Sequence, residues 1–258
     1  MSATAMSSDL KPVSNMADRA PLLRWMIFTG LCVLAAVLLW RYGLIHLMLA
    51  SDRTYISAII GVLYIATSLH CLWRTMAIAR EGDAGRSAAQ ILAAPNAILP
   101  VAGETHSAGR RALPPGLVAD HIHDLVLKAE TQGPGRIDQT LLLRSLADRL
   151  RGSNGFGAFA SDTLMKLGLL GTIIGFIIML APIAGIDASD RMMLKSSMGL
   201  MTDGMAIAMY TTLAGLVGSI LLRVQYYMLD AATAKVFSQA VSLTETRVVP
   251  ALERLHDR

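Results

Sequence analysis

Residues 167–186 read LGLLGTIIGFIIMLAPIAGI and are held between Lys166 and Asp187. Twenty uncharged residues at about 1.5 Å of helical rise each are enough to cross the roughly 30 Å hydrocarbon core of a bilayer. With about 100° between successive side chains, Gly168, Gly171, Thr172, Gly175, Met179 and Pro182 share one stripe, while Leu170, Ile173, Ile174, Ile177 and Ile178 cover the remainder. One face is smooth and the other bulky. In lipid, helices gain no hydrophobic drive from meeting, so a Gly171-xxx-Gly175 face supplies packing through close backbone approach. The stretch predicts a membrane-spanning helix that packs tightly on another through its glycines, with Thr172 bonded either to its own backbone or to something passing by.

A short polar hairpin with Asp187, Asp190, Arg191 and Lys195 leads to a second run of this kind, residues 204–222, uncharged between Asp203 and Arg223. Gly204, Ala208, Thr211, Gly215, Gly218 and Ser219 form its small-residue stripe, with Thr212 at the edge. The two matching stripes predict that these helices pack against each other. Beyond Arg223 neither Pro nor Gly occurs until Pro250, so this helix is expected to continue into the aqueous phase.

Two more uncharged runs precede them. Residues 25–40 are bracketed by Trp25 and Trp40, of the kind enriched at membrane interfaces, and residues 54–73 lie between Arg53 and Arg74. His70 sits one turn from the end of the latter and reads as interfacial. The composition agrees: 53% of the 258 residues are hydrophobic and 16% charged, against about 25% charged in soluble domains, with a mean hydropathy of +0.49. The expected fold is an all-α polytopic membrane protein with four transmembrane helices.

The remaining segments order themselves around these spans. Residues 1–21 read as a flexible tail and 22–73 as the first two spans. Residues 74–162 read as an aqueous loop, residues 163–222 as the last two spans, and 223–258 as a terminal helix. The first apolar run shows no obvious signal-peptide cleavage site and is expected to remain as an anchor. Within the loop, Pro95, Pro100, Pro114 and Pro115 among Ala, Gly and Ser predict a linker from Glu81 to Gly116 with at most short helices. Two amphipathic helices should follow, one with Val118, Ile122, Leu125, Val126 and Ala129 inward, the other with Leu143, Leu146, Ala147 and Leu150 inward. Asp120, His121, His123 and Asp124 read as a solvated face, because His-x-His sends its two rings to different sides of a helix and no third metal ligand follows. Gly152-Ser-Asn-Gly-Phe-Gly157 reads as a flexible joint, not a nucleotide loop.

Lys and Arg are unevenly distributed: 19 lie in the first, third and fifth inter-span segments and 4 in the other two. With four spans, this places both termini and the large loop in the cytoplasm. The net charge of +4 follows from these flanks and gives no reason to expect nucleic-acid binding. Cys32 and Cys71 lie inside spans and read as packing residues. No nucleophile, base and orienting group come together in the sequence pattern, so an enzyme is not expected.

Gly168-Leu-Leu-Gly171-Thr172-Ile-Ile-Gly175 resembles the GLxGTVxG segment of the MotA/TolQ/ExbB proton-channel family, and Thr211-Thr212-Leu-Ala-Gly215-Leu216 resembles its TxxGL segment. Two spans, a large loop, two spans and a tail resemble the topology of its MotA branch. Met165 and Leu221 stand where prolines are common in the family. The resemblance implies an inner-membrane, ring-forming subunit of bacteria, a homopentamer surrounding a dimer of a single-span MotB/TolR/ExbD-like partner. It implies that H⁺ or Na⁺ flow does mechanical work, as in a stator. Thr172 and Thr212, with Thr211 beside them, match the positions that line the ion path, and Gly168, Gly171, Gly175, Gly204, Gly215 and Gly218 are the packing positions. No cofactor is implied beyond the transported ion. The residues themselves also ask for a partner, since an ion crossing hydrocarbon ordinarily needs a titratable side chain and no Asp, Glu, Lys or Arg lies within the four uncharged cores. A scaffold that keeps the ring fold without conducting would show the same glycines.

Overall fold

The structure is a computed structural model and describes residues 20–43, 46, 48, 55–92, 113–132, 137–182 and 191–256. Its elements are α1 (Ala20–Arg41), α2 (Ile56–Leu92), α3 (Leu117–Gln132), α4 (Thr140–Arg151), α5 (Gly155–Leu180), α6 (Arg191–Leu243) and α7 (Val249–His256). A 3₁₀ turn, Gly152–Asn154, links α4 to α5, and a π turn, Thr244–Val248, links α6 to α7. No strand occurs among the described residues. Four helical stretches are long and apolar enough to cross a membrane: Leu23–Arg41, Ile56–Leu92, Thr140–Leu180 and Lys195–Arg254. The N-terminal tail, most of the linker and the 183–190 part of the hairpin lie outside the described residues.

The chain divides into two compact units, one of residues 24–73 and 154–228, the other of residues 1–23, 74–153 and 229–258. In the first unit the usual burial rule is inverted. Gly168, Gly171, Gly175, Gly204, Gly215 and Gly218 are buried, whereas Leu169, Leu170, Ile173, Phe176, Met209 and Leu213 are exposed. An apolar outer face of this extent would be a liability in water, and it is the stable arrangement when lipid is the solvent. Among the described side chains of α1 only Trp25 is buried. Fully buried Gln225 of α6 reaches Thr29 of α1 with an amide-to-hydroxyl distance of 3.4 Å.

The second unit has an ordinary apolar core. Val118, Ile122, Leu125, Val126 and Ala129 of α3 are all buried, as the spacing predicts, and so are Leu146 and Leu150 of α4. Leu143 and Ala147 are partly covered. Glu81 of α2 accepts the backbone N–H of Leu117 at 2.9 Å, satisfying one of the donors that every helix N-terminus leaves open. Asp138 does the same for α4, accepting the Thr140 N–H at 3.0 Å and its hydroxyl at 2.5 Å. Those two bonds hold the Asp138 carboxyl below its usual range.

Three sequence expectations change here. Residues 81–92, expected as linker, continue α2 without a break. They hold no proline, and Ile78 and Ala88 are buried, so tertiary packing overrides the weak helix propensity of Gly82 and Gly85. Residues 152–157, expected as a flexible joint, are a defined kink. Gly152 has φ +44°, and Arg74 donates to the carbonyls of Leu150 (3.0 Å) and Arg151 (3.2 Å), closing the end of α4. A β-carbon on Gly152 would fall 2.7 Å from that guanidinium. His121, expected on a solvated face, is only 3% exposed while His123 is exposed. The two rings do point to different sides, but the α3 stripe is wider than its aliphatic residues alone suggest.

Beyond Arg223, α6 continues to Leu243 as expected, and a change of helix geometry precedes Pro250. Pro250 lies within α7, and the turn before it widens: the Val249 N–H bonds the Thr244 carbonyl five residues back. Proline has no N–H for a regular i−4 bond and its ring crowds the carbonyl four residues earlier. The π turn absorbs the mismatch without ending the rod.

Candidate ion-path seam

The first unit is organised by the line along which α5 meets α6. A β-carbon on Gly215 would lie 2.7 Å from the Gly168 Cα and 2.8 Å from the Leu164 carbonyl oxygen. One on Gly175 would lie 2.6 Å from the Ala208 nitrogen, and one on Gly204 2.5 Å from the Met179 nitrogen. Gly171 sits under Thr211, with only 2.4 Å from an added β-carbon to the threonine Cβ. At Gly168 the nearest atoms would be the Gly215 Cα and the Thr211 carbonyl oxygen, both at 3.1 Å. At Gly168, Gly175, Gly204 and Gly215 these separations involve backbone, which cannot swing aside, and at Gly171 the Thr211 side chain, so the close approach of the two helices depends on the missing side chains of the glycines. Gly218 differs: its nearest atoms, on Leu164 and Tyr64, would be 3.7 and 3.9 Å away, ordinary contact distances.

Three threonines occupy this seam. The hydroxyls of Thr172 and Thr212 are bonded to each other across it. One of these hydroxyls donates to the other, and the carbonyls within reach of the remaining proton are those of Gly168, 3.2 Å from Thr172 and 3.4 Å from Thr212, and Ala208, 2.9 Å from Thr212. Both side chains are half-buried. Thr211 is fully buried, and its hydroxyl faces the carbonyls of Ile207 (2.8 Å) and Ala208 (3.2 Å) in its own helix. The structure therefore brings Thr172 and Thr212 together at the seam's edge and puts Thr211 behind them, wedged on Gly171.

The seam runs further than the glycine motifs. Gly157, Ala160, Ser161 and Leu164 of α5 are buried in line with Gly168, and the Ser161 hydroxyl lies 3.0 Å from both the carbonyl and the hydroxyl of Ser219. A β-carbon on Gly157 would fall 2.1 Å from the Tyr226 ring, so the glycine makes room for a buried tyrosine. The Tyr226 hydroxyl is 2.8 Å from Nδ1 of His70, and Phe156 meets the His70 ring edge-on with centroids 5.5 Å apart. Sequence reasoning set His70 aside as interfacial and missed Tyr226 and Gly157. The spacing of residues 157, 161, 164, 168, 171 and 175 carries the signal, and it was hidden by ending the span at Lys166 although that side chain is exposed.

Small residues inside, bulky apolar residues outside and hydroxyls on the contact line define a multi-pass membrane protein whose last two spans form a close-packed pair. Residues 123–241, from within α3 through nearly all of α6, match the model of the MotA/TolQ/ExbB proton channel family. Members are channel and transport-coupling proteins that work with partner proteins in membrane complexes. Comparison with curated proteins and with solved structures yields no match.

Proposed function

We propose that this chain is the ion-conducting subunit of a two-component inner-membrane motor, assembled as a homopentamer around a dimer of a single-span partner bearing an intramembrane aspartate. Both termini and the large loop are cytoplasmic, in keeping with the 19 to 4 distribution of Lys and Arg. Thr172 and Thr212 line the path of H⁺ or Na⁺, and Thr211 with the glycines Gly168, Gly171, Gly175, Gly204 and Gly215 fixes the distance between their helices. The observation that carries this reading is the paired, half-buried hydroxyls in helices whose uncharged cores contain no Asp, Glu, Lys or Arg. Hydroxyls can hand an ion on through ligation or an ordered water. They cannot take up the charge, so the titratable group belongs to the partner.

A second reading, a non-conducting scaffold with the same fold, is favoured by one feature: backbone carbonyls already lie within hydrogen-bond distance of both hydroxyls. Thr172→Val and Thr212→Val separate the two. In the conducting reading the double variant keeps expression and partner binding and loses partner-dependent ion flux. Flux equal to that of the unaltered protein would leave the scaffold as the role of this pair.

A further inference from the structure

The apolar stripe of α3 carries one polar side chain inward with it: His121 stands three residues after Val118 and four before Leu125, and is buried with them. At the start of α4 a second polar side chain turns in. The Gln139 carbonyl accepts the first bond of that helix, from the Leu143 N–H at 2.8 Å, but the Gln139 amide caps nothing, while Asp138 serves the Thr140 N–H. Gln139 is only 4% exposed. Nε2 of His121 and both amide atoms of Gln139 are buried without a hydrogen-bond partner, and among the described residues they are the only such side-chain atoms of the second unit. The two side chains are neighbours, since Gln139 favours the charged form of the ring, yet Nε2 and the amide do not meet in hydrogen-bond geometry.

Buried polar groups in folded proteins are paired with protein or with ordered water, and these three atoms together specify what pairs them. A cation would leave the amide N–H donors unpaired, and an anion would leave Oε1 unpaired. Water presents both kinds of group. From this buried cluster of mixed donors and acceptors, we infer that His121 and Gln139 form an internal water site that ties the start of α4 to the inner face of α3. The water donates to Oε1 of the amide and accepts from its Nε2, and its remaining hydrogen and lone pair face Nε2 of His121, so it serves that nitrogen with or without a proton. Three bonds to buried partners are what an internal water ordinarily makes. The site belongs to the second unit and does not rest on ion conduction.

The test uses the full chain in lipid nanodiscs with ¹³C,¹⁵N-labelled histidine and reads magnetisation transfer by NMR from water to the carbon-bound ring protons of His121, assigned by their loss in His121→Asn. NOE and ROE peaks of opposite sign, the mark of a water held far longer than the hydration shell, are expected at this ring and not at exposed His123. Gln139→Met keeps the length of the side chain without its polar atoms and should abolish those peaks, because a water left with one protein partner is not held. Circular dichroism verifies that the variant keeps its helices, and should it not, the unaltered chain decides alone. Absence of the peaks from the unaltered chain, equal peaks at His123, or their survival in a folded Gln139→Met would each overturn the inference.

Discussion

At single positions, the decisive quantity is the space that one added carbon would need. A leucine at Gly171 or Gly215 must displace Thr211 or the backbone of α5, and overpacking of this kind costs about 1–3 kcal/mol or more. Either substitution should lower the thermal midpoint of the purified protein and broaden its size-exclusion peak. Gly218→Ala, with 3.7 Å of clearance, should leave both nearly unchanged. Equal effects at Gly215 and Gly218 would mean that the seam is not the tight contact described. His121 offers a second residue-level test. Burial lowers its pKa below 6.5, with Asp124 and Gln139 opposing the shift. The unfolded chain therefore binds this proton more readily than the folded one. Stability contributed by the neutral ring is full above about pH 6.5 and falls as the pH drops toward the folded value, by at most about 1.4 kcal/mol per pH unit. Thermal melts between pH 7.5 and 5.5 should show this loss, and His121→Asn should flatten it.

At the scale of the helices, Arg74 closes α4 and shapes the kink into α5. Arg74→Ala removes the donor to two carbonyls, which should cost about 1.5–3 kcal/mol and speed hydrogen exchange at residues 150–157 more than elsewhere. Uniform exchange would deny the cap its role. The contrast between elements explains what could be read from the chain alone. The 3.6-residue spacing of Val118, Ile122, Leu125 and Val126 announced α3, and the glycine stripes of α5 and α6 announced their pairing, because both depend on neighbours in sequence. The continuation of α2 to Leu92 depends on packing across the second unit, and the kink at Gly152 on a guanidinium 78 positions away in sequence from the glycine it covers. No local pattern encodes either one. His121 was misread because a histidine among acidic residues looks solvated until its helix is packed. Thr172 and Thr212 were legible as a pair of polar positions, while their bond to each other and the burial of Thr211 emerged only from the crossing of the two helices.

At the scale of the whole molecule, the account places four spans in an inner membrane and leaves charge movement to a second protein. The topology predicts that single cysteines at Ser51 and Ser189, introduced after Cys32 and Cys71 are replaced, react with an impermeant thiol reagent added to intact cells, and that one at Ser107 reacts only after the membrane is opened. Reaction at Ser107 from outside would reverse the orientation. The central claim, that this chain conducts only together with a partner's carboxylate, is tested most directly by ion flux into proteoliposomes under an imposed gradient. The account predicts no flux above the lipid background with this chain alone, flux when the single-span partner is included, and its loss when that partner's intramembrane aspartate becomes asparagine. Flux from this chain alone, or flux that survives the aspartate-to-asparagine change, would contradict it.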